Sequence, residues 1–113
     1  MSLVSELFYV YILTNPAKTA LYVGVTNNLT TRLVVHWDNR GNRPSFAGRY
    51  YCYNLIFYET FSQIASAIAR EKEIKKWNRE KKEALIRSKN PGWVFLNTEV
   101  CGEWPPVKNT KRF

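Results

Sequence analysis

The stretch that decides the fold is Phe8-Tyr9-Val10-Tyr11-Ile12-Leu13, answered further on by Leu21-Tyr22-Val23-Gly24-Val25. β-Branched and aromatic side chains fill both runs, so both read as strands. Between them Asn15-Pro16-Ala17-Lys18-Thr19 carries turn chemistry, which makes an antiparallel hairpin the natural connection. A hairpin symmetric about Pro16 and Ala17 sets Tyr11 opposite Tyr22 and Tyr9 opposite Gly24, with the tyrosines at 11 and 22 as neighbours on one face.

Outward from the hairpin, Thr26, Asn27 and Asn28 are candidate caps for a helix in which Leu29, Leu33 and Trp37 recur every four residues. Arg32 and His36 share the adjacent stripe. Asp38 to Ser45 reads as a basic loop, and the run from Arg49 or Tyr50 to Tyr58 as a third strand ending near Glu59. Ser62 is the expected cap of a second helix with apolar Ile64, Ala67, Ile68 and Ile74. Asn78 is placed to cap a short third helix containing Leu85 and Ile86, which stops before Asn90-Pro91. Trp93 to Leu96 is expected to fold back as an apolar strap. The fold class is therefore α+β: a small three-stranded antiparallel sheet flanked by helices, in the order β-β-α-β-α-α. It forms one domain over residues 5–98, with 99–113, Cys101 included, as a C-terminal tail expected to be mobile.

Composition narrows the function classes. The chain has 113 residues, 17 Lys plus Arg against 9 Asp plus Glu, and a formal net charge of +8. Such a balance favours polyanionic partners such as nucleic acid or an anionic membrane surface. Residues 70–89 hold nine basic side chains against Glu71, Glu73, Glu80 and Glu83. This stretch reads either as a solvated face with i,i+4 pairs or as a surface for phosphates. Two cysteines without CxxC spacing argue against a disulfide framework or structural zinc. The longest apolar run, Leu7 to Leu13, is far short of the roughly 20 residues that span a bilayer. A soluble, cytoplasmic protein with no membrane partner is expected.

One carboxylate is out of place. At about 100° per residue, Glu71 falls within the stripe of Ile64, Ala67, Ile68 and Ile74. A carboxylate facing a core needs a cation, a metal or hydrogen-bond donors to offset desolvation. Helical spacing alone leaves two readings open: an ion pair with Lys75 or an arginine, and a metal ligand or general base.

Taken together, Tyr9-Val10-Tyr11, then Tyr22-Val23-Gly24, then Arg32 and His36, then Glu71 within Ala69-Arg70-Glu71-Lys72, resemble the GIY-YIG endonuclease superfamily. The likeness runs over residues 7–96 and is to short, stand-alone bacterial members. Arg70 to Trp77, Arg79-Glu80-Lys81-Lys82 and Asn90-Pro91-Gly92-Trp93 look like theirs too. The first triplet reads Tyr-Val-Tyr in place of Gly-Ile-Tyr, with its tyrosine kept.

The resemblance implies phosphodiester cleavage with one divalent metal ion, magnesium or manganese. By it, Tyr11 and Tyr22 match the tyrosines of the two triplets, and Arg32 the arginine that grips the scissile phosphate. His36 matches a residue near the attacking nucleophile, and Glu71 the protein carboxylate on the metal. Tyr11 is then expected to orient or deprotonate water, with His36 drawing off the proton. Gly24, without a side chain, is expected to admit the DNA backbone. Many members carry a further asparagine, for which Asn78 and Asn90 are candidates, neither aligning with it. Read from the residues alone, Tyr11 and Tyr22 also suit an aromatic pair, Arg32 a partner for Glu71, His36 packing beside Trp37, and Asn78 a helix cap.

The function expected is a metal-dependent endonuclease acting on duplex or structured DNA with low sequence specificity, in DNA repair or processing. Arg40, Arg43, Arg49, Lys72, Lys75 and Lys76 would bind the phosphate backbone. A protein partner is one source of substrate specificity, and the state expected is a monomer or weak homodimer. The rivals are a non-catalytic nucleic-acid-binding module that retains the fold and a protein-interaction domain whose basic face meets an acidic partner.

Overall fold

The computed structural model describes residues 6–107. Its elements are β1 (Phe8–Thr14), β2 (Leu21–Thr26), α1 (Leu29–Asp38), α2 (Phe46–Arg49), β3 (Asn54–Phe61), α3 (Ile64–Lys76), α4 (Arg79–Lys89) and α5 (Asn97–Cys101). This is the expected α+β order, with the short helices α2 and α5 added.

Strand β1 is central, antiparallel to β2 on one side and β3 on the other. Alternate side chains leave a strand on opposite faces, and here both faces are covered, so every residue from Val10 to Thr14 is buried. Val10 and Ile12 meet Ala67 and Ile74 of α3 and Ile86 of α4. Tyr11 and Leu13 meet Leu29 and Leu33 of α1 and Ala47 of α2. Pairing steps from Ile12↔Phe57 to Leu13↔Leu55, so Ile56 is an extra residue on β3. That bulge lets Ile56 and Phe57 join the same core cluster.

The hairpin register differs from the symmetric one by two residues: Tyr11 pairs with Gly24, Leu13 with Tyr22 and Tyr9 with Thr26. Asn15 is the cause. Its Oδ1 accepts from the backbone N–H of Thr19 at 2.8 Å and of Ala20 at 2.9 Å, which adds both residues to the turn. A shift of two restores the pleat, so Tyr11 and Tyr22 keep a common face as diagonal neighbours.

Asn28 caps α1, accepting from Thr31 N–H at 3.0 Å. Strand β3 starts at Asn54 instead of Arg49 or Tyr50, because Phe46 to Arg49 is helical and Ser45 caps it through Gly48 N–H. Gln63, not Ser62, occupies the cap position of α3 and makes no side-chain cap bond. Asn90 clamps the strap, donating from Nδ2 to the carbonyls of Ile56 and Val94 and accepting from Val94 N–H. Within the strap Val94 is exposed, while Trp93 and Leu96 pack inward.

Residues 99–104, expected as tail, lie against the core. Asn97 Oδ1 accepts from Leu55 N–H at 2.7 Å and its Nδ2 donates to Tyr53 C=O at 2.9 Å. Val100, Cys101 and Trp104 then pack on the α1 side of the sheet, with the Trp104 ring 5.7 Å from Trp37. Residue 5 and residues 108–113 lie outside the described residues. No helix among those described is long and apolar enough to cross a membrane.

Candidate active site

The site is built where β1 meets α1. Tyr11 sits mid-strand on the α1 side and is 1% exposed, and its Oη lies 2.9 Å from His36 Nε2. Burial raises the Tyr11 hydroxyl well above the usual phenol value; Tyr22 and Glu71 add to this and Arg32 opposes it. Burial, with the charge of Arg32 added, lowers His36 from 6.5 to about 4. At neutral pH the pair is therefore a protonated phenol beside an uncharged imidazole. A hydroxyl can donate to a bare Nε2 or accept from a protonated one, so Tyr11 supports His36 in either protonation state.

Tyr22 completes an aromatic group, its ring 5.2 Å from His36 and 6.3 Å from Tyr11. Gly24 has a different part from the one expected. A Cβ there would lie 2.5 Å from Tyr11 Cζ and overlap its Oη. The room left by the missing side chain is filled by the protein's own tyrosine ring, and Gly24 is buried.

Arg32, exposed, stands one helical turn before His36, and its charge acts on both Tyr11 and His36. Glu71 comes from α3. Only Ala67 and Ile74 of the expected apolar stripe are buried; Ile64 and Ile68 are exposed because α3 meets the sheet on its Ala67/Ile74 side. Glu71 thus lies at the border of the buried face, with its side chain 13% exposed. Lys75 Nζ pairs with its Oε2 at 2.6 Å. Among the described residues Oε1 has no ion-pair partner, and Arg32 is not paired with the carboxylate. No three His, Cys, Asp or Glu cluster together there. Glu71 therefore offers one hard oxygen donor at this border, the kind of group a divalent cation takes.

The remaining expected residues divide. Asn78 caps α4, accepting from Lys81 N–H at 2.9 Å, and Asn90 is occupied in the strap, so both have structural partners. Arg40 stacks on Trp37, its guanidinium 3.8 Å from the ring centroid. Arg49 stands 5.7 Å from the Tyr50 ring. Arg43, Lys72 and Lys76 are exposed. Phe46, which belongs to no sequence motif, stacks on Tyr22 at 6.5 Å and lies tilted by 50° against Tyr50 at 4.8 Å. The i,i+4 spacing of Phe46 and Tyr50 is its only sequence signal, and it bridges the gap between the expected loop, which ends at Ser45, and the expected strand.

A small α+β domain with paired tyrosines, a histidine, an arginine and one carboxylate around its central strand fits the resemblance read from the sequence. Comparison with protein families agrees: the GIY-YIG catalytic domain matches residues 7–84, and the chain belongs to the GIY-YIG family. It is similar to a UPF0213 protein of Bacillus pumilus, 35% identical over 69% of this chain and 76% of that one. A UPF0213 protein of Clostridium perfringens is 38% identical over 73% and 85% of the two chains. One from the archaeon Haloquadratum walsbyi is 32% identical over 72% and 88%. No solved structure matches the chain.

Proposed function

We propose that the protein is a metal-dependent endonuclease that hydrolyses DNA phosphodiester bonds with low sequence specificity, in DNA repair or processing. The observation that carries this is the 2.9 Å contact between Tyr11 Oη and His36 Nε2, with Arg32 and Glu71 both acting on that hydroxyl. Hydrolysis needs a base for the attacking water and positive charge for the pentavalent transition state. Uncharged His36 is able to take the water's proton. Tyr11, nearly closed to solvent, serves as its positioning residue and not as the group that meets the water, a change from the role first expected. Tyr22, half-buried beside His36, faces the substrate. Arg32 offers a planar donor fork to phosphate oxygens. Once a phosphate offsets the charge of Arg32, the field that lowers His36 weakens and the imidazole becomes a better base.

Glu71 would hold the magnesium or manganese ion, which when bound would supply positive charge for the transition state. Lys75 keeps the carboxylate compensated until then. Arg43, Lys72 and Lys76 are suited to backbone phosphates, which carry no sequence information.

The test is nicking of supercoiled DNA with magnesium or manganese, beside Glu71→Ala and Arg32→Ala. Nicking should need the metal and fall at least 100-fold in both variants, with DNA binding retained by Glu71→Ala. Equal nicking by Glu71→Ala sinks the assignment. Binding without cleavage on every substrate makes the protein a binding module.

A further inference from the structure

The four-residue helix α2 and its C-cap residue display two aromatic rings that the core does not claim. Phe46 is 50% exposed and Tyr50 46%. They stand at i and i+4, on one side of the helix, with centroids 4.8 Å apart. Together with Ala20, Leu21, Arg79 and Lys82 they line an open groove of about 290 Å³. Adjoining exposed rings on a small domain mark a surface that awaits a partner. The rings also lead inward, since Phe46 stacks on Tyr22 at 6.5 Å with planes 23° apart, and Tyr22 touches His36 at 5.2 Å.

The charges around the groove indicate what it takes. Arg79 is committed as its wall: its guanidinium donates to the carbonyls of Thr19 and Lys18 and to Glu83. Lys82 in the groove and Arg49 beside Tyr50 remain as cations for an anionic chain. Aromatic faces flanked by cations are how single strands are held, bases on rings and phosphates on Lys and Arg. A base inside a duplex is stacked on both sides and offers no face to Phe46.

We propose that Phe46 and Tyr50 form a stacking platform for an unpaired nucleobase, so that the strand cut at this site carries an unpaired nucleotide next to the scissile phosphate. The proposal rests on the nuclease reading above and narrows its substrate to single-stranded DNA or a duplex with a single-stranded arm. Tyr22 joins platform to chemistry, which lets the stacked base set the position of the neighbouring phosphate.

The test measures binding apart from cleavage, using wild-type protein in EDTA. A labelled oligodeoxythymidine 20-mer containing one 2-aminopurine is titrated beside a duplex of equal length. The single strand should bind at least tenfold tighter and the 2-aminopurine fluorescence should be quenched. Phe46→Ala and Phe46→Leu should each weaken single-strand binding about tenfold and leave duplex binding unchanged. Phe46→Tyr should restore it. Equal affinity for the two DNAs, or wild-type single-strand binding by Phe46→Leu, overturns the proposal. Single-strand preference in a protein that nicks nothing upholds the platform and removes the nuclease reading. Nicking that is indifferent to strandedness does the reverse.

Discussion

Tyr11 and His36 show how a residue's chemistry depends on what surrounds it. In the unfolded chain His36 takes a proton near 6.5, in the folded protein only near 4. Between these values the unfolded state binds more protons, so stability rises with pH across the window. The contribution is present in full above about 6.5 and is lost as pH falls toward 4. Urea unfolding of wild type beside His36→Gln should therefore show the wild type losing more stability between pH 7 and pH 4, and an NMR titration of the imidazole should have its midpoint near 4. A midpoint near 6.5 would mean that the ring is open to water. Gly24 makes the same point sterically: its lack of a side chain accommodates Tyr11 directly opposite, a pairing that follows from the hairpin register.

Among the elements, the helices were legible where their signals are local. Asn28 and Asn78 cap α1 and α4 through their own side chains three residues on, and the residue before Pro91 ends α4. Asn78 stood as a candidate for the site as well as for a cap, and its bond to Lys81 N–H accounts for it. Asn78→Ala should lower stability by about 1 kcal/mol while nicking per folded molecule is kept. Full stability with lost nicking would return the residue to the site. Helix α3 was less legible. Periodicity drew one stripe through Ile64, Ala67, Ile68 and Ile74, but the sheet takes only Ala67 and Ile74. Which part of an apolar stripe is buried depends on the angle at which the helix meets the sheet, and no local pattern encodes that angle. Helix α2, four residues long, is too short to show a helical period, and the contacts from Gly41 N–H to Gly48 C=O and Cys52 N–H to Ala47 C=O close it from outside.

For the whole molecule, a net charge of +8 makes DNA binding a matter of counterion release. Log affinity should fall linearly with log salt, and Arg43→Ala or Lys76→Ala should each reduce the slope by about one, alike on every sequence. A slope near zero would exclude phosphate contacts as the source of affinity. The sequence by itself determined the α+β class, the order of the three strands with α1, α3 and α4, and the likeness to the GIY-YIG family carried by Tyr11, Tyr22, Arg32, His36 and Glu71. Alternation, caps and motif spacing act over a few residues and are written in neighbours. Only the tertiary structure decided that Tyr11 is closed to solvent, that His36 is uncharged beside it, that Glu71 sits at the edge of a buried face with Lys75, and that Phe46 meets Tyr22 while its ring and that of Tyr50 stay half exposed. Burial, field and ring contact are sums over elements far apart in the chain, and they exist only once β1, α1, α2 and α3 have packed.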